Sequence, residues 1–269
     1  MENEIHATGA LPPKTDLRDY SLKAEATEVK EFELTILPEV KNQMNVSSCA
    51  AHATSSILEW FNQQETGEYR ELSTDFIYGM QGIECNRNDK GMYLRDACKI
   101  IHKYGDCLNE TIPYNTEMPK CTEKLKDNLN DEVYKEAAIS KVNSYVRCWT
   151  SNDIKYALMH GSPVLMSIKW YGLNIVKPDG TISFLKPLFD GYHAIMVYGF
   201  NEKGWLCQNS HGKLWGKGGR FILPYDYGFR EAWSFIDAEN NGVHKPKRNK
   251  WLDFLYKIAN FILNFTKKE

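Results

Sequence analysis

The signatures that usually announce a cofactor are missing from this sequence. It holds no glycine-rich phosphate loop, no Cys-x-x-Cys pair and no His-Glu-x-x-His. Neither a phosphate-bearing cofactor nor a metal is therefore expected. Charge of one sign is also scarce, since 33 Lys+Arg against 35 Asp+Glu leave −2. No global field favours nucleic acid, and none is expected as a partner. Met1 to Ala10 contains no apolar run of the secretory kind, so no signal peptide is expected and the expected compartment is the reducing cytoplasm. The three Asn-x-Ser/Thr matches, at Asn45, Asn109 and Asn264, then read as chance. Internal repeats and low-complexity stretches are absent. What remains is an ordinary globular composition in 269 residues, enough for one large domain or two lobes sharing a cleft.

Seven cysteines are present, an odd number that leaves at least one thiol unpaired. Cys85, Cys98, Cys107 and Cys121 lack metal-ligand spacing and read as free thiols. Cys49 stands apart because a polar loop with Asn42, Gln43, Ser47 and Ser48 precedes it. From Cys49 to about Gln63 the pattern is helical, with Ala50, Ala53, Ile57 and Phe61 on one face and Ser47 or Ser48 placed to cap it. Further helices are expected over 72–80, over 95–104 with Gly105 as stop, and over 151–160, capped by Ser151 or Asn152. Residues 106 to about 130 hold Pro113, Pro119 and many polar residues, and read as mostly loop. Beyond them the texture changes to strands, over 163–170, 194–200, 204–208, 219–223 and 233–237, with glycines between. A helical first half and a sheet-rich second half imply an α+β unit of two lobes.

The chemistry gathers in three segments. Gln43 precedes Cys49 by six residues, His193 follows Gly191-Tyr192, and Asn209 follows His193 by sixteen. An ordinary thiol has a pKa near ~8.5. A helix N-terminus and a cationic imidazole both favour its thiolate. Cys49 fits a nucleophile, His193 its base, Asn209 the group that holds the imidazole, and Gln43 a side-chain donor to an oxyanion.

These segments together resemble the papain-like (C1) cysteine peptidases. Asn42-Gln43 with Ser47-Ser48-Cys49 is similar to the family's nucleophile segment, Gly191 to Phe200 to its histidine strand, and Gln208-Asn209-Ser210-His211-Gly212 with Leu214-Trp215-Gly216 to its asparagine motif. Leu11 to Arg18 is like the start of a mature enzyme, particularly among bacterial and viral members. The resemblance covers about residues 11–237. It implies a papain-like two-lobe fold and a cysteine endopeptidase acting through a thiolate–imidazolium pair and an acyl-enzyme. It also implies a peptide or protein substrate lying extended between the lobes. Gly91, Gly191 and Tyr192 are expected to border that substrate. Val46, Ala50 and His211 depart from the family's usual cysteine and two tryptophans. The last of these tryptophans ordinarily shields the Asn–His hydrogen bond. Two rival readings use the same residues: a non-catalytic structural or binding relative, with a virion as an alternative location, or an acyltransferase or amidase with the same Cys-His-Asn site.

The expected organisation is a flexible arm over 1–14 and a catalytic domain over 15–238. Its helical lobe covers about 15–130 and its sheet-rich lobe about 131–238. A basic linker and amphipathic helix follow over 239–269. With about ten residues before the mature-like start, no inhibitory pro-piece is expected. Trp251 to Phe265 carries a narrow polar stripe of Asp253, Lys257, Asn260 and Asn264 on an otherwise apolar surface. Fifteen helical residues span ~22 Å, short of a ~30 Å hydrocarbon core. Residues 251–265 are expected either to dock on protein or to lie peripherally at a membrane surface.

Overall fold

The computed structural model describes residues 8–13, 16, 19, 21–22, 24–86, 90–115, 121–184 and 189–237. The helices are α1 (Cys49–Thr66), α2 (Thr74–Glu84), α3 (Leu94–Lys103), α4 (Cys121–Asn128), α5 (Asp131–Ala137) and α6 (Ser151–Met159). The strands are β1 (Phe32–Glu33), β2 (Val142–Cys148), β3 (Val164–Tyr171), β4 (Asn174–Val176), β5 (Ile182–Phe184), β6 (Phe189–Asn201), β7 (Gly204–Gln208), β8 (Arg220–Leu223) and β9 (Glu231–Asp237). The architecture is α+β, as expected. Five helices come first, then an antiparallel sheet in the order β2-β9-β3-β6-β7-β8, with β1 paired to β6 and a separate β4–β5 hairpin.

Helix α1 is the axle of the molecule. Every residue from Cys49 to Phe61 is buried, because α1 packs on β6 and β3 on one side and on α2 and α3 on the other. A helix enclosed on all sides loses the one-sided apolar stripe of a surface helix. Among its buried polar residues, Thr54 Oγ1 donates to the Ala50 carbonyl (2.7 Å). Gly67 ends the helix in the left-handed conformation, its N–H donating to the Gln63 carbonyl.

Several local expectations are corrected. Ser48 occupies the α1 N-cap but makes no side-chain capping bond. Its hydroxyl instead faces His52 Nδ1 and Tyr114 Oη, each at 3.2 Å. Helix α6 is capped by Thr150, in a reciprocal box with Asp153, rather than by Ser151 or Asn152. The stretch expected as mostly loop contains α4, seated on α2 through the buried Leu125. One apolar anchor is too sparse a pattern to read as periodic. Strand β2 was not anticipated either; its sequence Val-Asn-Ser-Tyr-Val-Arg-Cys gains its meaning from pairing with β9. Strand β6 begins before Ala194, so His193 sits within the ladder opposite Ile168 of β3.

The helix expected over 251–265 and its proposed membrane or partner association lie outside the described residues. Among the described residues, no helix is long and apolar enough to cross a membrane.

Candidate active site

Cys49 is the first residue of α1, and its Sγ accepts a hydrogen bond from the Ala194 N–H at 3.4 Å. That contact joins the start of the central helix to the residue following His193 on β6. The loop before Cys49 is held by side chains. Lys41 sends its ammonium inward to Glu59 Oε1 (2.6 Å), Ser55 Oγ (2.9 Å) and the Leu72 carbonyl (2.7 Å). Tyr114 Oη donates to the Gln43 carbonyl at 2.8 Å. Met44 takes φ +51°, a left-handed turn of the kind that a neighbouring Asn side chain supports; Asn42 Oδ1 accepts from the Met44 N–H at 2.9 Å.

Gln43 is fully buried. Ser210 Oγ donates to its Oε1 (2.5 Å), and its Nε2 donates to the Val46 carbonyl (2.8 Å). The main chains of the two segments are tied as well, Gln43 N–H to the Ser210 carbonyl (2.8 Å) and Gly212 N–H to the Lys41 carbonyl (2.9 Å). The Gln43 loop and the Asn209 turn are thus one unit, although far apart in the chain.

His193 is completely buried, and its Nε2 lies 2.7 Å from Asn209 Oδ1. The same oxygen accepts the Ser210 N–H at 2.8 Å. A backbone N–H only donates, so the amide oxygen is the atom facing both groups, and His193 must carry its hydrogen on Nε2 to bond it. In the neutral ring this leaves the lone pair on Nδ1. Trp170 of β3, almost fully buried, has its ring centroid 4.5 Å from that of His193 and 5.5 Å from that of His211. Trp215 meets His211 edge-on at 5.5 Å.

The space between Cys49, Gly91 and Tyr192 is filled by the protein's own chain. The Ala10 N–H donates to the Tyr192 carbonyl (3.0 Å), Leu11 N–H to the Met92 carbonyl (2.9 Å), and Met92 N–H to the Gly9 carbonyl (2.7 Å). Thr8 lies against Gly191. Residues 9–11, part of the segment expected as a flexible arm, are therefore held by main-chain hydrogen bonds, with Ala10 bridged to both Tyr192 and Met92. Gly91 and Gly9 make this approach sterically feasible. A Cβ on Gly91 would come 2.6 Å from the Gly9 carbonyl oxygen, and one on Gly9 would come 2.1 Å from the Ser47 carbonyl oxygen. Gly91, Gly191 and Tyr192, expected to border a substrate, all border this segment.

Covering the sulfur alters its chemistry. Cys49 has no exposed surface, and burial pushes its thiol up to about 11, against main-chain hydrogen bonds from Ala194, Gly9, Ala50 and Ala10 that favour the anion. In this covered form burial favours the neutral thiol, while the helix end and the main-chain donors favour the anion.

Sequence reasoning did not find Lys41, Tyr114, Trp170 or Ser210. Of these only Ser210 carried a signal, its position next to Asn209. His52 has Nδ1 3.1 Å from the Ser48 carbonyl and its ring edge-on to Tyr114. Burial, then Lys41, pushes its pKa down to about 3, so it stays neutral. Cys98, Cys107, Cys148 and Cys207 are free thiols, and the Cys121 side chain lies outside the described set. Among the described residues, no group of three or more His, Cys, Asp or Glu is arranged to hold a metal.

The family model described as papain family cysteine protease matches residues 24–228. An uncharacterized peptidase C1-like protein of Acanthamoeba polyphaga mimivirus is 25% identical over 259 residues, with 81% of each chain covered. Cysteine proteinase RD21A of Arabidopsis thaliana is 28% identical over 235 residues, covering 78% of this chain and 46% of that one. Among solved structures, xylellain, a cysteine protease of Xylella fastidiosa, superposes with a TM-score of 0.73 at 24% identity, over 89% of this chain and 99% of that one. That likeness concerns the fold.

Proposed function

The chain belongs to the papain family of cysteine proteases, and from that premise we propose that it is a cysteine endopeptidase using Cys49, His193, Asn209 and Gln43. The observation that carries the reading is the convergence of three distant segments: the Cys49 sulfur against Ala194 (3.4 Å), and His193 Nε2 on Asn209 Oδ1 (2.7 Å). His193 Nδ1 takes the thiol proton as the sulfur attacks the carbonyl carbon of the scissile peptide. Gln43 Nε2, whose second hydrogen is additional to the one given to Val46, and the Cys49 N–H donate to the oxyanion. Collapse breaks the C–N bond, His193 returns the proton to the leaving amine, and a thioester remains on Cys49. Water attacks the thioester and gives its proton to His193. The acid product leaves, and the Cys49 sulfur recovers that proton. Asn209 holds the imidazole in the tautomer that these transfers need.

Substrate recognition falls to Met92 and Tyr192, whose main-chain groups already hold one extended strand, with Gly91 and Gly191 keeping the slot open. Such a slot reads peptide backbone rather than particular side chains. Turnover requires residues 8–11 to leave it, so the described form is a resting form. The same covered sulfur also favours a second reading, that the protein is a non-catalytic relative whose cleft stays closed.

One experiment separates the two. A peptidyl epoxide that alkylates thiols is offered to the wild type, to Gly9→Val and to Gly9→Val carrying His193→Ala, and adducts are located by mass spectrometry. The protease reading expects a single adduct on Cys49, strongest in Gly9→Val and at least ~10³-fold slower without His193. If Cys49 in Gly9→Val reacts no faster than the other thiols, or reacts without His193, the protease reading is wrong.

A further inference from the structure

The amide of Asn209 is nearly symmetric in shape, and only its surroundings decide which end is oxygen. On the oxygen side stand the Ser210 N–H (2.8 Å) and His193 Nε2 (2.7 Å). On the nitrogen side stands His211 Nδ1, 3.1 Å from Asn209 Nδ2. An amide nitrogen only donates, so His211 must offer a lone pair at Nδ1 and carry its hydrogen on Nε2. The ring that does this is held on three sides, by Trp170 (5.5 Å), Trp215 (5.5 Å) and His193 (4.9 Å between centroids), and is about 5% exposed. The Asn42–His211 backbone bridge fixes its main chain beside the Gln43 loop.

We infer that His211 is a positioning residue: as hydrogen-bond acceptor it locks the Asn209 amide with its oxygen toward His193. The inference rests on the reading of Asn209 as the group that orients His193. A flipped amide would point N–H₂ at the Ser210 N–H and at His193 Nε2. His193 would then have to accept at Nε2 and move its hydrogen to Nδ1. A ring protonated at Nδ1 cannot take the proton of Cys49, so a half-turn of one amide would disable the base. The Ser210 N–H opposes that flip from one side and His211 from the other. At this position the family resemblance leads one to expect tryptophan, whose indole only donates. That residue could shield the bond but could not hold the amide nitrogen. In this chain the two tasks are divided: Trp170 shields, and His211 orients.

The test uses the full chain labelled with 15N-histidine, with His211→Phe, which keeps a ring and removes the acceptor, and His211→Asn, which returns an acceptor at the same distance along the side chain. In the wild type, His211 is expected as the Nε2–H tautomer and His193 likewise. In His211→Phe the His193 Nε2–H signal weakens in favour of Nδ1–H, and kcat in the Gly9→Val background falls about ten-fold, the size of one hydrogen bond, with KM unchanged. His211→Asn restores both. Nδ1 protonation of His211 in the wild type, or identical His193 spectra in the Phe and Asn variants, would overturn the inference. The spectra need no turnover, so an inactive protein would defeat the peptidase reading and leave this test standing. Should His211→Phe fail to fold, the wild-type tautomer decides.

Discussion

The two walls of the cleft are built on different principles. His193 and Asn209 sit on the β6–β7 platform, where ladder register places them: Ile168 opposite His193 and Gln208 opposite Met196. Many main-chain hydrogen bonds share the task of placing their backbone, and His211 adds a side-chain contact to the Asn209 amide. Gln43 and Cys49 sit on the other wall, where the loop from Val40 to Ser48 contains no strand of its own. Individual side chains hold it: Lys41 on Glu59, Tyr114 on the Gln43 carbonyl, Ser210 on the Gln43 amide. A sheet spreads its constraints over many backbone groups, whereas a loop concentrates them in few contacts. Single substitutions should therefore do more damage on the loop wall.

The largest effect is expected at Gln43. Gln43→Ala should lower kcat by ~10²–10³ while Cys49 alkylation in the Gly9→Val background stays close to the parent rate. Steady-state and alkylation kinetics measured together check this, and a proportional loss of both would mean that the loop itself had collapsed. Next comes Lys41→Met, which leaves Glu59 buried without its cation. The expected loss is ~3–5 kcal/mol near neutral pH by denaturant unfolding. Burial raises Glu59 in the folded state, against the pull of Lys41. The stability that a raised carboxyl contributes is fully present below its unfolded-state pKa and is lost as pH rises through the folded one, so the deficit should be smaller at pH 5 than at pH 8. A pH-independent deficit would argue against the ion pair as its cause.

A third measurement concerns what lies between the walls. The Cys49 thiol, pushed up to about 11 by burial, should alkylate with a midpoint far above neutral in the wild type. In Gly9→Val the midpoint should fall, because water returns to the sulfur while the helix end remains. An unchanged midpoint would show that residues 8–11 are not what raises it. The smallest effect is expected at the seam of the two walls. Ser210→Ala removes one hydrogen bond to Gln43 and should cost about 1 kcal/mol, or roughly five-fold in kcat, with thermal stability following in the same direction.

Much of this was legible in the chain. The helix from Cys49, the strand through His193, the Asn209 motif and the order of lobes all leave local marks, as periodicity, glycine stops and polar loops. What was not legible shares a physical cause. Helix α4 has one buried anchor, Leu125, too few for a period. Thr150 caps α6 through an Asp153 contact that competes with equally plausible neighbours, Ser151 and Asn152. Nothing in Leu11-Pro12-Pro13 says that the main chain just before it will be bonded, because its partners Met92 and Tyr192 lie far away in sequence.

By itself, then, the sequence determined which groups are available: a thiol that opens a helix, an imidazole within a strand, and the amides of Gln43 and Asn209. Tertiary structure alone decided that Trp170 covers His193, that His211 faces the far side of Asn209, that Lys41 is spent on Glu59, and that residues 8–11 lie over the sulfur. Local pattern encodes conformation over a turn or two of chain. Which distant groups meet, and how much water remains between them, follows from strand register and packing, and with them the burial that raises the Cys49 thiol.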